Sequence, residues 1–173
     1  MSYRSLSSRG VLLAALTVAA CVLDTARAAA AAADNERDVA EITKLITRYA
    51  QSIDAADTKL GSDIWENSAD VSFIHPLGHE HGWEAVKSNL YERLMGETFS
   101  ERKLGASDIV VHAYGDAAWA EFYWEFVARF RKDGTALTTR GRESQVYRKT
   151  DGRWRLVHVH YSGMPVTGER QGF

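Results

Sequence analysis

The sequence contains almost no cysteine, and this scarcity excludes several kinds of site. Cys21 is the only cysteine among the 173 residues, and it lies within an apolar N-terminal segment. After residue 28 the chain therefore has no cysteine to form a disulfide, bind a metal as a thiolate or act as a nucleophile. We expect packing of an apolar core to hold the domain together.

The chain also lacks an excess of positive charge. It has 21 Lys and Arg residues against 23 Asp and Glu residues, a formal net charge of -2 at pH 7. Nucleic-acid binding requires clustered cations that neutralise phosphates, so we expect no nucleic-acid partner. Gly-rich phosphate loops, nucleophile elbows and dinucleotide fingerprints are absent from the sequence as well. With 45% hydrophobic residues, the composition is that of an ordinary globular domain.

The N-terminal apolar run is too short to span a membrane. Arg4 and Arg9 precede the run Val11–Leu23, which is shorter than the roughly 20 residues that a transmembrane helix needs. Ala26-Arg27-Ala28 then supplies the small residues that a signal peptidase reads. This pattern predicts a signal peptide over residues 1–28, followed by an Ala-rich spacer over 29–35.

The same segment has a second interpretation. Val18-Ala19-Ala20-Cys21 resembles a bacterial lipoprotein signal, in which Cys21 becomes the lipid-modified first residue of an anchored protein. Both interpretations predict export, to the periplasm or to the outside of the cell, with or without a lipid anchor.

Beyond the spacer, hydrophobic periodicity indicates helices first. Apolar residues recur at three- and four-residue steps from Val39 to Ile53, and Asn35 and Asp38 are placed to cap this helix. Shorter helices are predicted over Lys59–Asn67 and Trp83–Met95, with a strand over Asp70–His75 between them.

After Thr98 the period changes to two, which indicates strands. Turn signals follow at Gly115-Asp116, Asp133-Gly134 and Asp151-Gly152. Helices followed by strands predict one α+β domain over 36–165, in which a curved antiparallel sheet wraps around the first helix. Residues 166–173 are predicted to be a tail.

Two groups of motifs connect this domain to a family. Arg48-Tyr49, Asp57, the run from Ser72 to Gly78 and Gly82 resemble the pattern of ketosteroid isomerase. The later motifs resemble the association domain of calcium/calmodulin-dependent kinase II and its bacterial SnoaL-like relatives: Gly115-Asp116-Ala117-Ala118, Asp151-Gly152-Arg153-Trp154, and Val157-His158-Val159-His160-Tyr161-Ser162-Gly163. The resemblance covers about residues 36 to 165. It implies the cone-shaped, cystatin-like roll of the nuclear transport factor 2-like superfamily, with three N-terminal helices packed in the sheet.

The resemblance also implies a pocket between the first helix and the sheet, with three candidate catalytic residues. Tyr49 matches the phenol that donates a hydrogen bond to an oxyanion in the isomerase, and Glu143 lies within one residue of its neutral carboxylic acid. His75 stands where the isomerase has its aspartate base, and an imidazole can take up a proton near neutral pH. Each has a structural alternative: a core tyrosine, a packed histidine, and an exposed glutamate or one paired with Arg140 or Arg142.

Four further residues are candidate ligand contacts. Gln145 and Tyr161 stand where the association domain has pocket arginines, which implies a pocket with less positive charge. Trp65 in the second helix and Tyr123 among the strands complete the candidate binding residues.

Two His-x-His pairs, His79-Glu80-His81 and His158-Val159-His160, have a spacing that can hold a metal ion from one face of a strand. No third ligand is identifiable, so we expect no metal and no other cofactor. The resemblance places Val157, Val159 and Tyr161 on the pocket side and both histidines of the second pair on the outer face.

An aromatic row in the predicted strand around Phe122, Trp124 and Phe126 has two interpretations. Periodicity alone turns the row toward the core. The family register turns it outward, where a homodimer would cover it, because so many exposed aromatic residues favour aggregation. We adopt the outward placement and a homodimer as the expectation, and note that a bulge would reconcile the two.

Three functions remain open. The first is acid–base catalysis, of the isomerase, cyclase or dehydratase kind, on an apolar carbonyl compound, with His75 as the base. The second is a non-catalytic pocket for a small molecule in the cell envelope. The third is a structural oligomerisation module. The fold alone does not choose among them.

Overall fold

The computed structural model describes the backbone of residues 8–164 and the side chains of residues 25–164. The predicted tail 166–173 and the side chain of Cys21 lie outside the described residues. The chain divides into two compact units, the first ending at Arg37 and the second beginning at Asp38. Within the described part of the chain, no helix combines the length and apolarity that a membrane span requires.

Helix α1 (Ser8–Ala55) contains the predicted amphipathic stripe. Its residues from 25 to 37 are exposed, with an ion pair between Arg37 and Asp34. In the second unit, the inward face of α1 is apolar and buried, as the periodicity predicted: Ile42, Leu45, Ile46, Tyr49 and Ile53. Asp38 does not cap the helix, because the helix continues through it.

The remaining helices are short. Asp57 caps α2 (Thr58–Ile64), accepting hydrogen bonds from the backbone of Lys59 and Leu60. Helix α3 (Trp83–Ala85) passes directly into a π-helix (Val86–Glu97). The buried residues of the π-helix are Val86, the adjacent pair Leu90 and Tyr91, and Met95. Each step, from Val86 to the pair and from the pair to Met95, is four to five positions, as expected for a helix with more residues per turn than an α-helix.

Within residues 8–164, six strands form one sheet: β1 (Ser72–His75), β2 (Gly78–His81), β3 (Phe99–Tyr114), β4 (Ala117–Phe130), β5 (Ala136–Thr150) and β6 (Arg153–Gly163). Their order is β2-β1-β6-β5-β4-β3. Every pair is antiparallel except β1 with β6, which is parallel because a long stretch of chain, not a hairpin, connects them. The predicted α+β class and the curved sheet are confirmed, although the sheet is open and has one parallel pairing where the prediction was purely antiparallel.

The expected outward placement of the β4 aromatic row is wrong. Phe122, Trp124 and Phe126 are each at least nine-tenths buried. The register is the reason: Phe122 pairs with Glu143, Glu143 pairs with Tyr161, and directly paired residues share a face. The β4–β5 pairing runs without a bulge from Ala117 to Arg129, so the row stays on the inner face throughout.

Strand β6 agrees with the family register over most of its length. Val159 is fully buried and Tyr161 is half-buried, whereas His160 is exposed. Closer to the start of β6 the alternation of inward and outward residues changes, because the β5–β6 pairing shifts register between Val146 and Tyr147. As a result Leu156, and not the predicted Val157, enters the core.

Candidate functional site

A cavity of about 390 Å³ lies among α1, the π-helix and the inner face of the sheet. Its walls are mainly apolar side chains, among them Phe73, Leu90, Leu94, Phe99, Trp124 and Phe126. Tyr49, Glu143 and Tyr161 give the cavity its polar groups, with Thr139 and Arg140 also in the lining. A mainly apolar cavity of this size with a few converging polar groups is typical of a small-molecule site.

Glu143 is a deeply buried carboxylic acid in the lining of this cavity. It is 5% exposed, and burial raises the pKa of its carboxyl from 4.5 to about 8, against a smaller lowering by a hydrogen bond from Gln145. The Nε2 atom of Gln145 donates to its Oε1 atom at 2.6 Å. Arg140 instead pairs with Glu125, and Arg142 is exposed. The carboxyl is therefore a neutral acid at neutral pH.

Tyr49 lies on α1 and lines the same cavity. Burial, followed by the nearby Glu143 carboxyl, raises the pKa of its phenol well above the ordinary value. Among the described residues, none forms a hydrogen bond with this phenol. The ring of Trp65 packs edge-on against it, with the ring centroids 6.5 Å apart. A fixed, protonated hydroxyl group without a partner is thus available to a ligand.

His75 is not among the residues that line the cavity. It lies in an adjoining polar cleft with Glu80, Asn89 and Arg93, and the cleft and the cavity share the walls formed by Phe73, Leu77, Leu90 and Leu94. The imidazole stacks on Phe73 with the centroids 5.1 Å apart.

Both ring nitrogens of His75 have partners. The Leu77 amide donates to Nδ1 at 3.3 Å, so the proton of the neutral ring is on Nε2 and points to Glu80 Oε1, 3.4 Å away. Asn89 holds the other Glu80 oxygen at 2.5 Å. To act as a base, His75 must first lose the contact with the Leu77 amide.

The other candidate binding residues lie in different places. Tyr161 lines the cavity, whereas Gln145 is buried behind Glu143. Trp65 is completely buried and donates to the Tyr91 hydroxyl at 3.3 Å. Tyr123 is on the opposite face of the sheet and 46% exposed, away from the cavity.

Several lining residues were not among the candidates from sequence. Trp124 and Phe126 were assigned to the outer face, although strict alternation along β4 was a signal for the core. Glu80, the partner of His75, lies between His79 and His81 in the sequence. The His-x-His pattern indicates metal ligands and does not predict the contact of Glu80 with His75.

The histidine pairs lie on the outer side of the sheet edge. His79 and His81 are exposed, with ring centroids 3.8 Å apart. His158 forms a hydrogen bond with Ser72 Oγ at 2.7 Å, and burial, then the nearby His160 and His79, lowers its pKa. Within residues 25–164, no three histidine or carboxylate side chains come together as metal ligands would.

The comparisons with known proteins agree with this architecture. A nuclear transport factor 2-like superfamily protein from Salmonella enterica serovar Typhimurium is 49% identical, with a TM-score of 0.75 over 77% of this chain and 95% of that one. A candidate dehydratase of the same superfamily from Streptomyces avermitilis shares the fold at 21% identity, with a TM-score of 0.67 over 76% of this chain and 99% of that one.

The curated relatives match a shorter segment. Calcium/calmodulin-dependent protein kinase type II of Caenorhabditis briggsae is 39% identical over 57 residues, which are 33% of this chain and 11% of the kinase. This chain thus matches about a tenth of that kinase's length. The family model of the SnoaL-like domain matches residues 42–167, most of the second unit. The chain therefore belongs to the SnoaL-like domain family.

Proposed function

We propose that the chain binds an apolar carbonyl compound in the cavity and transfers a proton at the carbon next to the carbonyl group. The observation that carries the proposal is the neutral Glu143 acid beside the unpartnered Tyr49 phenol, inside an otherwise apolar cavity. Both groups donate hydrogen bonds, and a carbonyl oxygen accepts two.

The same two donors favour catalysis more than simple binding. When the neighbouring carbon loses a proton, the electron pair moves onto the carbonyl oxygen, and preorganised donors stabilise that charge in a water-poor site. His75 is the base for this step: it takes the proton after Nδ1 releases the Leu77 amide, and Glu80 stabilises the imidazolium. The proton on His75 then returns to another carbon in an isomerisation, or it passes to a hydroxyl group on the adjacent carbon, which departs as water in a dehydration. The similarity to a candidate dehydratase supports this class of reaction.

A second candidate function is binding without turnover. The observation in its favour is that both nitrogens of His75 already have partners and that His75 lies in the adjoining cleft. In that case the chain holds an apolar carbonyl compound in the cell envelope and releases it unchanged.

One experiment separates these functions. Rigid apolar ketones, lactones and steroid-like compounds are screened for thermal stabilisation against the matched hydrocarbons, which lack the acceptor oxygen, and each ligand is assayed for proton exchange. Catalysis predicts that His75→Ala lowers the exchange rate by about 10²- to 10⁴-fold while the affinity is retained. Tyr49→Phe weakens binding of the ketone by about 1 kcal/mol, as loss of one hydrogen bond should.

Tyr123→Phe is the matched control, because it deletes the same hydroxyl group on the opposite face of the sheet. Ligands that bind but never exchange a proton would replace catalysis by the second candidate. Equal binding of the ketones and the matched hydrocarbons would overturn both, since both rest on hydrogen-bond donors in the cavity.

We also propose a homodimer through the outer face of the sheet, as expected from the sequence, but formed by other residues than the aromatic row. The outer face of β4 carries Trp119, Tyr123 and Val127, and neighbouring strands add Val110 and Val146. Each of these five side chains is more than a third exposed. His112 and Trp119 stack with centroids 4.2 Å apart, which extends this apolar band across the sheet. Burial of the band against a second copy would remove a patch unusual for a monomer.

Export remains the proposal for localisation, on the strength of the N-terminal sequence. Mass spectrometry of the mature N-terminus tests it. Cleavage near residue 28 indicates a periplasmic or secreted protein, and a lipid on Cys21 indicates an anchored one. Unprocessed protein in the cytoplasm would contradict both.

A further inference from the structure

Three inward-facing residues of β5 form a hydrogen-bonded series. Glu143, Gln145 and Tyr147 are two positions apart, so their side chains share the inner face of the strand. Each is at least nine-tenths buried. Only Glu143 lines the cavity, and the other two lie behind it.

The series has a defined direction. The Tyr147 hydroxyl donates to Gln145 Oε1, and Gln145 Nε2 donates to Glu143 Oε1 at 2.6 Å. A Tyr hydroxyl has one proton, and here it is used on the amide oxygen of Gln145. The amide nitrogen must therefore face Glu143. If the amide turned over, its N–H would meet the Tyr147 hydroxyl, whose proton would need another acceptor in the core.

The direction of the amide decides what Glu143 presents to the cavity. Because Oε1 accepts from Gln145, the proton of the neutral carboxyl is on Oε2, where it can be donated to a ligand. With the amide reversed, the carboxyl O–H would donate backwards to the Gln145 oxygen. The cavity would then present an acceptor and would select alcohols or amines.

We infer that Gln145 and Tyr147 are positioning residues that hold Glu143 as a hydrogen-bond donor and so restrict the site to ligands that carry an acceptor, such as ketones and lactones. This inference rests on the proposed function, since it concerns the same carboxyl. Neither residue touches the ligand. Gln145 and Tyr147 act by orienting the Glu143 carboxyl, a role that differs from filling space in the core.

The test is a titration of the Glu143 carboxyl by NMR, in the ligand-free protein labelled with ¹³C at the glutamate side chains. Glu143→Gln identifies the signal. In the wild type the carboxyl is expected to titrate at about 8. Gln145→Met removes the donor that stabilises the ionised form, so the midpoint should rise by about half a pH unit to one.

Tyr147→Phe is the sharper variant, because it keeps the aromatic ring and deletes only the proton that orients the amide. Gln145 can then turn its oxygen to the Glu143 O–H, which stabilises the neutral form and also raises the midpoint. Tyr123→Phe, on the outer face, should leave it unchanged. A merely structural role for Tyr147 would lower the melting temperature and leave the titration alone.

The outcomes separate this inference from the proposed function. A wild-type midpoint near the ordinary carboxyl value would overturn the neutral acid, and with it the proposed function. A wild-type midpoint of about 8 that neither Gln145→Met nor Tyr147→Phe alters would overturn the positioning role alone. If Gln145→Met does not fold, the titration of Tyr147→Phe decides by itself.

Discussion

The indole of Trp124 occupies the space that a side chain at position 141 would need. A Cβ on Gly141 would lie 2.5 Å from Trp124 Cζ2, and closer still to the carbonyl oxygen of Ser162 on β6. The absence of a side chain at Gly141 thus leaves room for the Trp124 ring, which lines the cavity, to pack close to the backbone of β5.

Gly141→Ala is expected to destabilise the domain by about 3 kcal/mol, at the upper end of overpacking costs, because a backbone atom cannot move aside as a side chain can. It should also weaken ligand binding by displacing Trp124. Gly105→Ala on β3 is the matched control, since the nearest atom to its Cβ is 3.9 Å away. Urea unfolding checks the pair. Equal stabilities would mean that the Trp124 ring has room to move.

Asp38 on α1 forms hydrogen bonds with the sheet, so its replacement should also lower the stability of the domain strongly. Its carboxylate accepts hydrogen bonds from the Trp154 indole at 2.9 Å and from Lys149 at 2.6 Å, and it is 8% exposed. Asp38→Ala leaves a buried indole N–H without this acceptor and should cost about 2 to 3 kcal/mol. Asp34→Ala, which breaks an exposed ion pair with Arg37 on the same helix, should cost less than about 1 kcal/mol. Thermal unfolding of the two variants measures the difference.

The raised pKa of Glu143 predicts how stability changes with pH. Below pH 4.5 the carboxyl is protonated in both the folded and the unfolded chain. Between 4.5 and about 8 it ionises only when unfolded, so the free energy of unfolding falls as pH rises. Above about 8 it is ionised in both states and the fall ends.

Glu143→Gln should remove this decline, which amounts to a few kcal/mol. Urea unfolding of the wild type and the variant at several pH values measures the difference between the two slopes. Parallel curves would show that Glu143 ionises normally in the folded protein.

The proposed dimer predicts contrasting effects of a new charge inside and outside the apolar band. Tyr123→Arg on the outer face should dissociate the dimer and leave the chain folded, because the side chain is exposed in one copy. Gln51→Arg introduces the same charge on the exposed side of α1, away from the apolar band, and should leave the dimer intact. Analytical ultracentrifugation and circular dichroism report the two properties. A wild type that sediments as a monomer would remove the proposal.

Local signals in the sequence predicted much of the fold. The apolar stripe of α1 follows from three- and four-residue spacing, and the turn at Asp151-Gly152 follows from two residues that adopt positive φ, 51° and 72°. The local pattern predicts Asp38 as a helix cap, and this prediction is wrong. Its partners Lys149 and Trp154 lie more than a hundred residues away, so local patterns do not contain them.

The site was harder to predict because long-range register decides which side chains meet. Tyr49, Glu143 and Tyr161 do line one cavity. Trp124 joined them against the family-based expectation, since the pairing of Phe122 with Glu143 fixes the face of β4. The orientation of His75 depends on Glu80 and the Leu77 amide, which no periodicity describes.

The parallel pairing of β1 with β6 has a consequence for how the chain folds. Strand β6 lies between the β1–β2 hairpin and the long strands β5, β4 and β3. Its residue His158 pairs with Ser72 of β1. Until residues 153–163 pair with it, β1 has only β2 beside it, and a two-stranded hairpin is marginal in water. Pairing over so long a sequence separation is slow. We therefore expect the cleft that holds His75 to form late in folding, after β6 has paired with β1.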